Sequence, residues 1–301
     1  MINDRPTGGF GAHEVLPGKA KLSRKATEST QVTNNVSFTL ARGETLGIVG
    51  ETGAGKSTVG RLVLRMIDPD AGSVHFNGND VLAMDKKTLR SLRQRAQMIF
   101  QDPFSSLDPH MTVREAVGEP LTIHQGLKGE ERDTKVIALL QRVGIREDQL
   151  NKYPREFSGG QLQRLAIARA LTTDPEFIVC DEPVAALDVS IQAQVLNLLL
   201  DLQRERGLAY IFISHDLSLV RFLAHRVAVM YKGEIVEMND TEEIFDNPQH
   251  PYTQKLVAAI PDPRNREPDC ARSPNVEPDS QATPLRYSSS SIREFFCLLT
   301  R

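Results

Sequence analysis

A glycine-rich segment near residue 50 has the residue types and spacing of a phosphate-binding loop. It fits the pattern G-x-x-x-x-G-K-[ST] and consists of Gly50, Glu51, Thr52, Gly53, Ala54, Gly55, Lys56, Ser57 and Thr58. In such a loop, glycines let backbone N–H groups approach phosphate oxygens without a clash from Cβ atoms. The lysine reaches the terminal phosphates, and the hydroxyl that follows it can hold Mg²⁺. The alternative is a glycine-rich turn that binds nothing, and a strand before the loop with a helix after it favours the phosphate loop.

Two carboxylates end a second apolar run, and they can complete such a site. The run Phe177–Cys180 predicts a buried strand, and Asp181 and Glu182 follow it directly. Beside a phosphate loop, Asp181 would hold Mg²⁺ directly or through water, and Glu182 would polarise an attacking water. Acidic residues at strand ends are common, so this motif alone is weak evidence for a site. Its position after a phosphate loop makes that evidence strong.

A third segment, around residue 158, predicts a helix with an unusual beginning. Ser158 and Gln161 fit a capping box, and an apolar helix continues through Leu171. One reading is simply a well-capped helix. However, the consecutive Gly159 and Gly160 disfavour a helix unless the backbone must approach something closely. A second helix N-terminus that contacts phosphate would satisfy this requirement.

These three segments, in this order, resemble the ATP-binding cassette (ABC) family, and the resemblance covers roughly Val36 to Pro261. It implies an α/β fold, a P-loop NTPase with a RecA-like parallel-sheet core, an antiparallel β subdomain and a helical signature subdomain. It also implies ATP and Mg²⁺ as ligands. In that family two cassettes meet head to tail, so that the phosphate loop of one and the signature residues of the other hold each ATP. By this resemblance the signature residues are Ser158, Gly159, Gly160 and Gln161.

Further family positions map onto single residues of this chain. Gln101 matches the Q-loop glutamine, Asp188 the D-loop aspartate that bridges two cassettes, and His215 the switch histidine near the γ-phosphate. The resemblance therefore implies a catalytic group of Glu182, His215 and Gln101. It also implies that the Mg²⁺ contacts come from Ser57, Gln101 and Asp181.

Three more segments resemble one branch of that family, the importers of oligopeptides, dipeptides and nickel. They are 101–109, 187–190 and the motif His250-Pro251-Tyr252-Thr253. The branch implies an ATPase that converts ATP and water into ADP and phosphate. Its partners would be a second ABC ATPase subunit (a paralogue or a second copy), two membrane-spanning permease subunits and, indirectly, a solute-binding protein. Peptide is the leading solute, and nickel, glutathione or another small solute remain alternatives.

The chain departs from the family pattern in two places. No aromatic residue lies between Phe10 and Phe38, where the family usually places one that stacks on adenine. The stacking group is therefore missing, displaced or supplied by an unusual loop. The branch often carries a cysteine cluster after the His-Pro-Tyr-Thr motif, but only Cys270 and Cys297 follow it here, too few for four thiolate ligands. We expect no iron–sulfur cluster.

Two other function classes compete with the importer. Soluble ABC ATPases of DNA repair insert a very long coiled coil, whereas here only about a hundred residues, without sustained heptads, separate Lys56 from Ser158. A regulatory or degenerate cassette that binds ATP without driving transport remains an alternative, because the adenine-stacking aromatic is absent. The presence of Glu182 and His215 favours a cassette that hydrolyses ATP.

The overall composition gives nucleic acid no electrostatic role, because the formal net charge is -3. No run approaches the roughly 20 apolar residues that a membrane-spanning helix needs. We therefore expect a peripheral protein on the cytoplasmic side of the inner membrane, attached through its partners.

The elements that must position these residues alternate between short apolar strands and helices. Strands are predicted at Val36–Leu40, Thr45–Val49, Tyr210–Ile213 and Val227–Tyr231, which indicates a parallel sheet wrapped by helices. The stretch from about Lys86 to Leu150 is predicted to be helical. The predicted organisation is a loose lead-in over 1–33, an ATPase domain over 34–260 with its helical subdomain at about 100–170, and a disordered tail over 261–301.

Overall fold

A computed structural model describes residues 10–15, 32–34 and 36–260, the first of these ranges through its backbone only. The strands are β1 (Phe10–Val15), β2 (Val36–Leu40), β3 (Thr45–Val49), β4 (His75–Phe76), β5 (Asn79–Asp80), β6 (Ala96–Ile99), β7 (Phe177–Asp181), β8 (Ala209–Ser214), β9 (Arg226–Tyr231) and β10 (Glu234–Asp240). The α-helices are α1 (Lys56–Val63), α2 (Lys86–Arg95), α3 (Val113–Gln125), α4 (Gly129–Arg142), α5 (Gly159–Leu171), α6 (Val189–Arg206), α7 (Leu217–Leu223), α8 (Thr241–Asp246) and α9 (Pro251–Ala258). Within this part of the chain, no helix combines the length and apolarity needed to cross a bilayer.

A six-stranded sheet in the order β10-β9-β3-β8-β7-β6 forms the centre of the fold. Five of its strands run parallel and β10 pairs antiparallel with β9. β3 and β8 are apolar along nearly their whole length and every residue in them is buried, as expected for parallel strands covered on both faces. Because parallel strands end at the same edge, the residues that follow β3, β7 and β8 meet there.

A smaller antiparallel layer packs beside this sheet. β1 pairs with β2, and β4 forms a hairpin with β5. The hairpin turn passes through Asn77 and Gly78, both with positive φ, the conformation that a tight Asn-Gly turn requires. β1 lies inside the range 1–33 that the sequence describes as a loose lead-in. The sequence misses this strand because FGAHEV has no sustained alternation of apolar and polar residues. Its hydrogen-bonding partner is β2, which lies some distance along the chain.

The helical region between the phosphate loop and β7 has its own apolar core. Helices α3, α4 and α5 contribute side chains that are almost fully buried, among them Val117, Leu121, Val136, Leu140 and Leu165. The expectation of helix from Lys86 to Leu150 is wrong at β6, which adds an edge strand to the sheet by pairing with β7. Its four residues lie directly after α2, so sequence periodicity alone merges it with the helix.

After β9 the chain turns back through Lys232 and Gly233 into β10, an edge strand that the sequence does not reveal. Its burial is irregular and its register shifts between Ile235 and Glu237, so no clean alternation marks it. α9 follows α8 close to the end of the described residues. The predicted tail, 261–301, lies outside the described residues, and the predicted domain boundaries stay predictions.

Candidate active site

The phosphate loop lies between β3 and α1, at the edge of the sheet where the parallel strands end. Gly50 has φ 150°, and a Cβ built there would lie 2.1 Å from the carbonyl oxygen of Met230, so a side chain is excluded. Gly55, with φ 99°, precedes the first residue of α1. The N–H groups at the start of α1 are therefore directed at the loop, an arrangement suited to an anion.

Lys56 is the cation of this loop, and its side chain is folded back onto the loop backbone. Its Nζ donates hydrogen bonds to the carbonyl oxygens of Gly50 (2.7 Å) and Glu51 (2.9 Å). Lys56 is only 5% exposed. Burial lowers its pKa, and the carboxylates of Glu182 and Asp181 act in the opposite direction. The two carbonyls thus solvate a desolvated ammonium group that can reach an incoming phosphate.

Ser57 and Asp181 place two oxygen ligands side by side. The Ser57 hydroxyl donates a hydrogen bond to Oδ1 of Asp181 at 2.7 Å. Burial raises the pKa of Asp181, and the Ser57 hydrogen bond and the charge of Arg61 oppose this rise. A hydroxyl and a carboxylate are hard oxygen ligands of the kind Mg²⁺ prefers, completed in nucleotide sites by phosphate oxygens. No cluster of three or more His, Cys, Asp or Glu side chains suited to a metal occurs among the described residues.

Glu182, Gln101 and His215 converge beside the loop. Nε2 of Gln101 donates to Oε2 of Glu182 at 3.0 Å, and Nδ1 of His215 lies 3.3 Å from the same oxygen. Glu182 has φ 46°, a left-handed conformation that is uncommon outside glycine, and its N–H donates to the carbonyl of Ile213 at 3.0 Å. Backbone strain of this kind clusters at functional sites.

The loop and this cluster share one cleft of about 700 Å³, within the usual range for small-molecule sites. Its walls are the loop residues, Gln101, Glu182 and His215, together with the aliphatic Val32 and Leu256. No aromatic side chain is among the described residues that line it. Among the described lining residues, the apolar side chains available to adenine are therefore the aliphatic ones of Val32 and Leu256.

The expected signature residues lie apart from the cleft. Ser158 caps α5, with its hydroxyl accepting from the N–H of Gln161 at 3.4 Å and the Gln161 side chain accepting from the N–H of Ser158 at 3.1 Å. Ser158 and Gly159 are exposed and Gly160 is half-buried. A Cβ built on Gly160 would lie 2.5 Å from Cγ2 of Ile191, so helix packing also requires this glycine.

The expected D-loop residue, Asp188, is exposed and begins α6. Its carboxylate accepts a hydrogen bond from the N–H of Ile191 at 3.0 Å, which makes it the N-cap of that helix. Asp188 does not line the cleft. The structure thus brings together the phosphate loop, Gln101, Asp181, Glu182 and His215, and leaves the signature residues and Asp188 outside the cleft.

Three residues at the site were missed by sequence reasoning. Val32 and Leu256 line the cleft, and the hydroxyl of Tyr252 accepts a hydrogen bond from the N–H of Glu51 at 3.0 Å. The His-Pro-Tyr-Thr motif that contains Tyr252 was the available signal, but it served only as a mark of the family branch. Its position more than two hundred residues after the loop gave no reason to place it there.

A comparison with protein-family models matches residues 33–185 to the family described as ABC transporter. This chain belongs to the ABC transporter family. A second model, the oligopeptide/dipeptide transporter C-terminal region, matches residues 236–285. These matches confirm the resemblance to an ABC ATP-binding subunit of the oligopeptide/dipeptide branch.

Curated relatives of this ABC transporter chain carry the name glutathione import ATP-binding protein GsiA. The protein from Salmonella typhimurium (strain LT2) is 50% identical over 255 residues, which is 84% of this chain and 41% of the relative. The protein from Escherichia coli (strain K12) is 49% identical over 246 residues, 82% of this chain and 40% of the relative. The chain thus spans about two fifths of the length of these relatives.

Solved ABC cassettes share the fold. The ATP-binding cassette MJ0796, solved as a dimer in a post-hydrolysis state bound to ADP and Pi, gives a TM-score of 0.68 at 28% identity, covering 77% of this chain and 98% of that one. CbiO1 from Clostridium perfringens, part of the transporter complex cbiONQ, gives a TM-score of 0.68 at 27% identity, covering 79% and 92%. The expected α/β cassette fold, with its parallel core, antiparallel strands and helical region, is confirmed.

Proposed function

We propose that this chain is the ATP-hydrolysing subunit of an ABC importer that takes up peptides across the cytoplasmic membrane. The observation that carries the proposal is the cleft lined by Lys56, Ser57 and the Gln101–Glu182–His215 cluster, with Asp181 hydrogen-bonded to Ser57. These side chains supply a cation for phosphates, oxygen ligands for Mg²⁺ and a carboxylate for water, the parts that phosphoryl transfer from ATP to water requires.

In this mechanism the loop N–H groups and Lys56 bind the β- and γ-phosphates and stabilise the charge that develops in the transition state. Ser57 and Asp181, with Gln101, would hold Mg²⁺, which neutralises phosphate charge when bound. Glu182 accepts a hydrogen bond from the attacking water and orients it in line with the γ-phosphate. His215, close to Glu182, contacts the γ-phosphate and keeps the carboxylate in place.

A second cassette is the first partner that the site needs. Ser158 and its neighbours are not among the residues that line the chain's own cleft, in which Lys56 lies. A head-to-tail pair, with a paralogue or a second copy, would place the α5 N-terminus of each cassette against the ATP of the other. The dimer of MJ0796 is a precedent for such pairing in a related cassette.

A second surface groove is suited to the cytoplasmic loops of the permease subunits. Its walls are Leu64, Met66, Arg93, Ala96, Gln97, Met98, Phe100, His124 and Arg169. Phe104, on the short turn that follows Gln101, is 56% exposed, and Met66 in the groove is 46% exposed. Exposed apolar side chains next to basic ones favour a protein partner, and the position of Phe104 links that partner to Gln101.

The solute is proposed to be a peptide. Support comes from the match to the oligopeptide/dipeptide transporter C-terminal region and from relatives named for glutathione import, since glutathione is itself a small peptide. Nickel or another small solute remains an alternative. With permease partners, the chain would bind peripherally to the cytoplasmic side of the inner membrane.

The second candidate, a regulatory cassette that binds ATP without hydrolysis, is favoured by the aliphatic lining of the cleft. Measuring Mg²⁺-dependent ATPase activity of the purified chain, beside Lys56→Ala and Glu182→Gln, separates the two. Activity that is lost in both variants supports the importer ATPase. If the chain binds ATP but stays inactive even with its paired ATPase subunit, the regulatory cassette is the better assignment.

A further inference from the structure

One carboxylate on β10 holds the turn before α9 in place through hydrogen bonds. Glu237 accepts hydrogen bonds from the N–H groups of Gln249 (2.8 Å) and His250 (2.9 Å). Nδ1 of His250 in turn accepts from the N–H of Tyr252 at 3.1 Å. These bonds give the first turn of α9 a fixed place beside the edge of the central sheet.

Tyr252 extends from this turn to the phosphate loop. Its ring packs on that of Tyr231, with centroids 4.3 Å apart and planes tilted by 31°, and the residue is only 9% exposed. Its hydroxyl accepts the N–H of Glu51 at 3.0 Å. Burial raises the pKa of Tyr252, so the phenol stays neutral near pH 7. The contact joins two parts of the chain separated by 201 positions.

The N–H of Glu51 and the C=O of Gly50 belong to the same peptide unit. That carbonyl is the closer of the two that accept hydrogen bonds from Nζ of Lys56, at 2.7 Å. Because a peptide unit is planar and rigid, fixing its N–H also fixes the direction of its carbonyl. The hydrogen bonds on the two sides of the unit also polarise each other. Tyr252 is therefore coupled to Lys56 through one rigid group.

We propose that Tyr252 is a positioning residue of the nucleotide site, which holds the Gly50–Glu51 peptide unit in the orientation that places Lys56 for phosphate. The proposal deepens the function proposed above and rests on it. It gives α9 a direct role in nucleotide affinity, in addition to its place in the C-terminal region of the chain. Leu256, one helical turn further along α9, lines the same cleft and places the helix at the site independently of this hydrogen bond.

The contact can be tested without nucleotide by using Tyr252→Phe, which removes the hydroxyl and keeps the ring stacked on Tyr231. In the full chain we expect amide hydrogen exchange of the peptide that contains Glu51 to become about fivefold faster, the size of one lost hydrogen bond. Tyr231→Phe is the matched control, because it removes a neighbouring hydroxyl and leaves the bond to Glu51 intact. Equal exchange at Glu51 in the two variants would overturn the proposal.

The effect on nucleotide is measured by calorimetric titration with Mg²⁺-ATP. We expect Tyr252→Phe to raise Kd by about three- to tenfold and Tyr231→Phe to leave it unchanged. In steady-state assays KM should rise while kcat stays the same, whereas a variant that is merely destabilised loses active protein and therefore apparent kcat. A lower kcat with normal KM and Kd contradicts the positioning role. A parent chain that binds no ATP contradicts the proposed function instead, and the exchange measurement still decides whether Tyr252 holds the loop.

Discussion

The hydroxyl of Ser57 donates a 2.7 Å hydrogen bond to Oδ1 of Asp181, across 124 positions of the chain. The start of α1 and the end of β7 thereby meet at one point of the cleft. This pair is the reason to expect that phosphate binding and metal binding are separable properties of the site.

Replacing Ser57 by alanine should separate them. The variant keeps Lys56 and the loop N–H groups but loses one oxygen ligand, so ATP affinity in the presence of Mg²⁺ should fall about tenfold. ATP affinity in the presence of a chelator should stay the same. Titration calorimetry under both conditions checks this, with the exposed Ser91→Ala as control. An equal loss with and without Mg²⁺ would show that Ser57 contacts phosphate rather than metal.

Glu182→Gln should keep ATP bound and stop its hydrolysis. The amide retains the shape of the side chain but cannot take a proton from water, so we expect kcat to fall on the order of 10²- to 10⁴-fold. ATP should then hold two cassettes together, which size-exclusion chromatography with Mg²⁺-ATP detects as a stable dimer. Glu131→Gln, on the exposed side of α4, is the control. Normal turnover in Glu182→Gln would remove Glu182 from the mechanism.

Gly160→Ala should destabilise the fold through a clash with Ile191. Alanine favours a helix over glycine by about 1 kcal/mol, but a Cβ at this position would lie 2.5 Å from Cγ2 of Ile191, and overpacking of this kind costs about 1–3 kcal/mol. Ile191→Ala removes that methyl group, so the double variant should recover part of the loss. Urea unfolding of the four proteins gives the coupling energy, and additive effects would exclude the clash.

Phe104→Ala should weaken membrane recruitment and leave the isolated chain intact. Because the side chain is 56% exposed, its removal should leave Tm and ATP affinity unchanged. In cells that also produce the permease subunits, a smaller fraction of the variant should sediment with membranes. Met66→Ala in the groove should act in the same direction. Full recruitment of both variants would place the permease contact elsewhere on the surface.

Local sequence patterns predicted much of this fold. β2 and β3 have the predicted bounds because each combines an apolar pattern with a clear turn or glycine loop after it. The sequence missed β6 and β10 for different reasons. β6 has only four residues, too few to show a period-two hydrophobic pattern, and β10 is an edge strand with a register shift. Each is recognisable as a strand only from its hydrogen bonds to a neighbouring strand, β7 for β6 and β9 for β10.

The residues of the site likewise fall into those that the sequence predicted and those that it did not. Lys56 lies in the motif that follows β3, Asp181 ends β7 and Glu182 comes directly after it. The order of these motifs in the family indicated that the three residues share one site. Val32 and Leu256 lie in no motif, and the motif that contains Tyr252 served only as a mark of the family branch. All three reach the site because their chain segments pack beside the loop only after folding. Gly160 shows a further limit of sequence reasoning. The sequence suggested a close approach to phosphate as the reason for this glycine, and the structure adds a second reason, its packing against Ile191.

The place of β3 in the middle of the sheet has a consequence for synthesis of the protein. Its two neighbours are β8 and β9, and Thr45 pairs with Tyr210, a residue made 165 positions later (210 minus 45). At translation rates of about 5–20 residues per second, β3 waits roughly 10–30 s on the ribosome for its first partner. During that time a largely apolar strand and the loop attached to it are without their final neighbours. We expect nascent chains arrested before Ala209 to be sensitive to protease and dependent on chaperones, and to gain resistance only once Tyr231 has emerged.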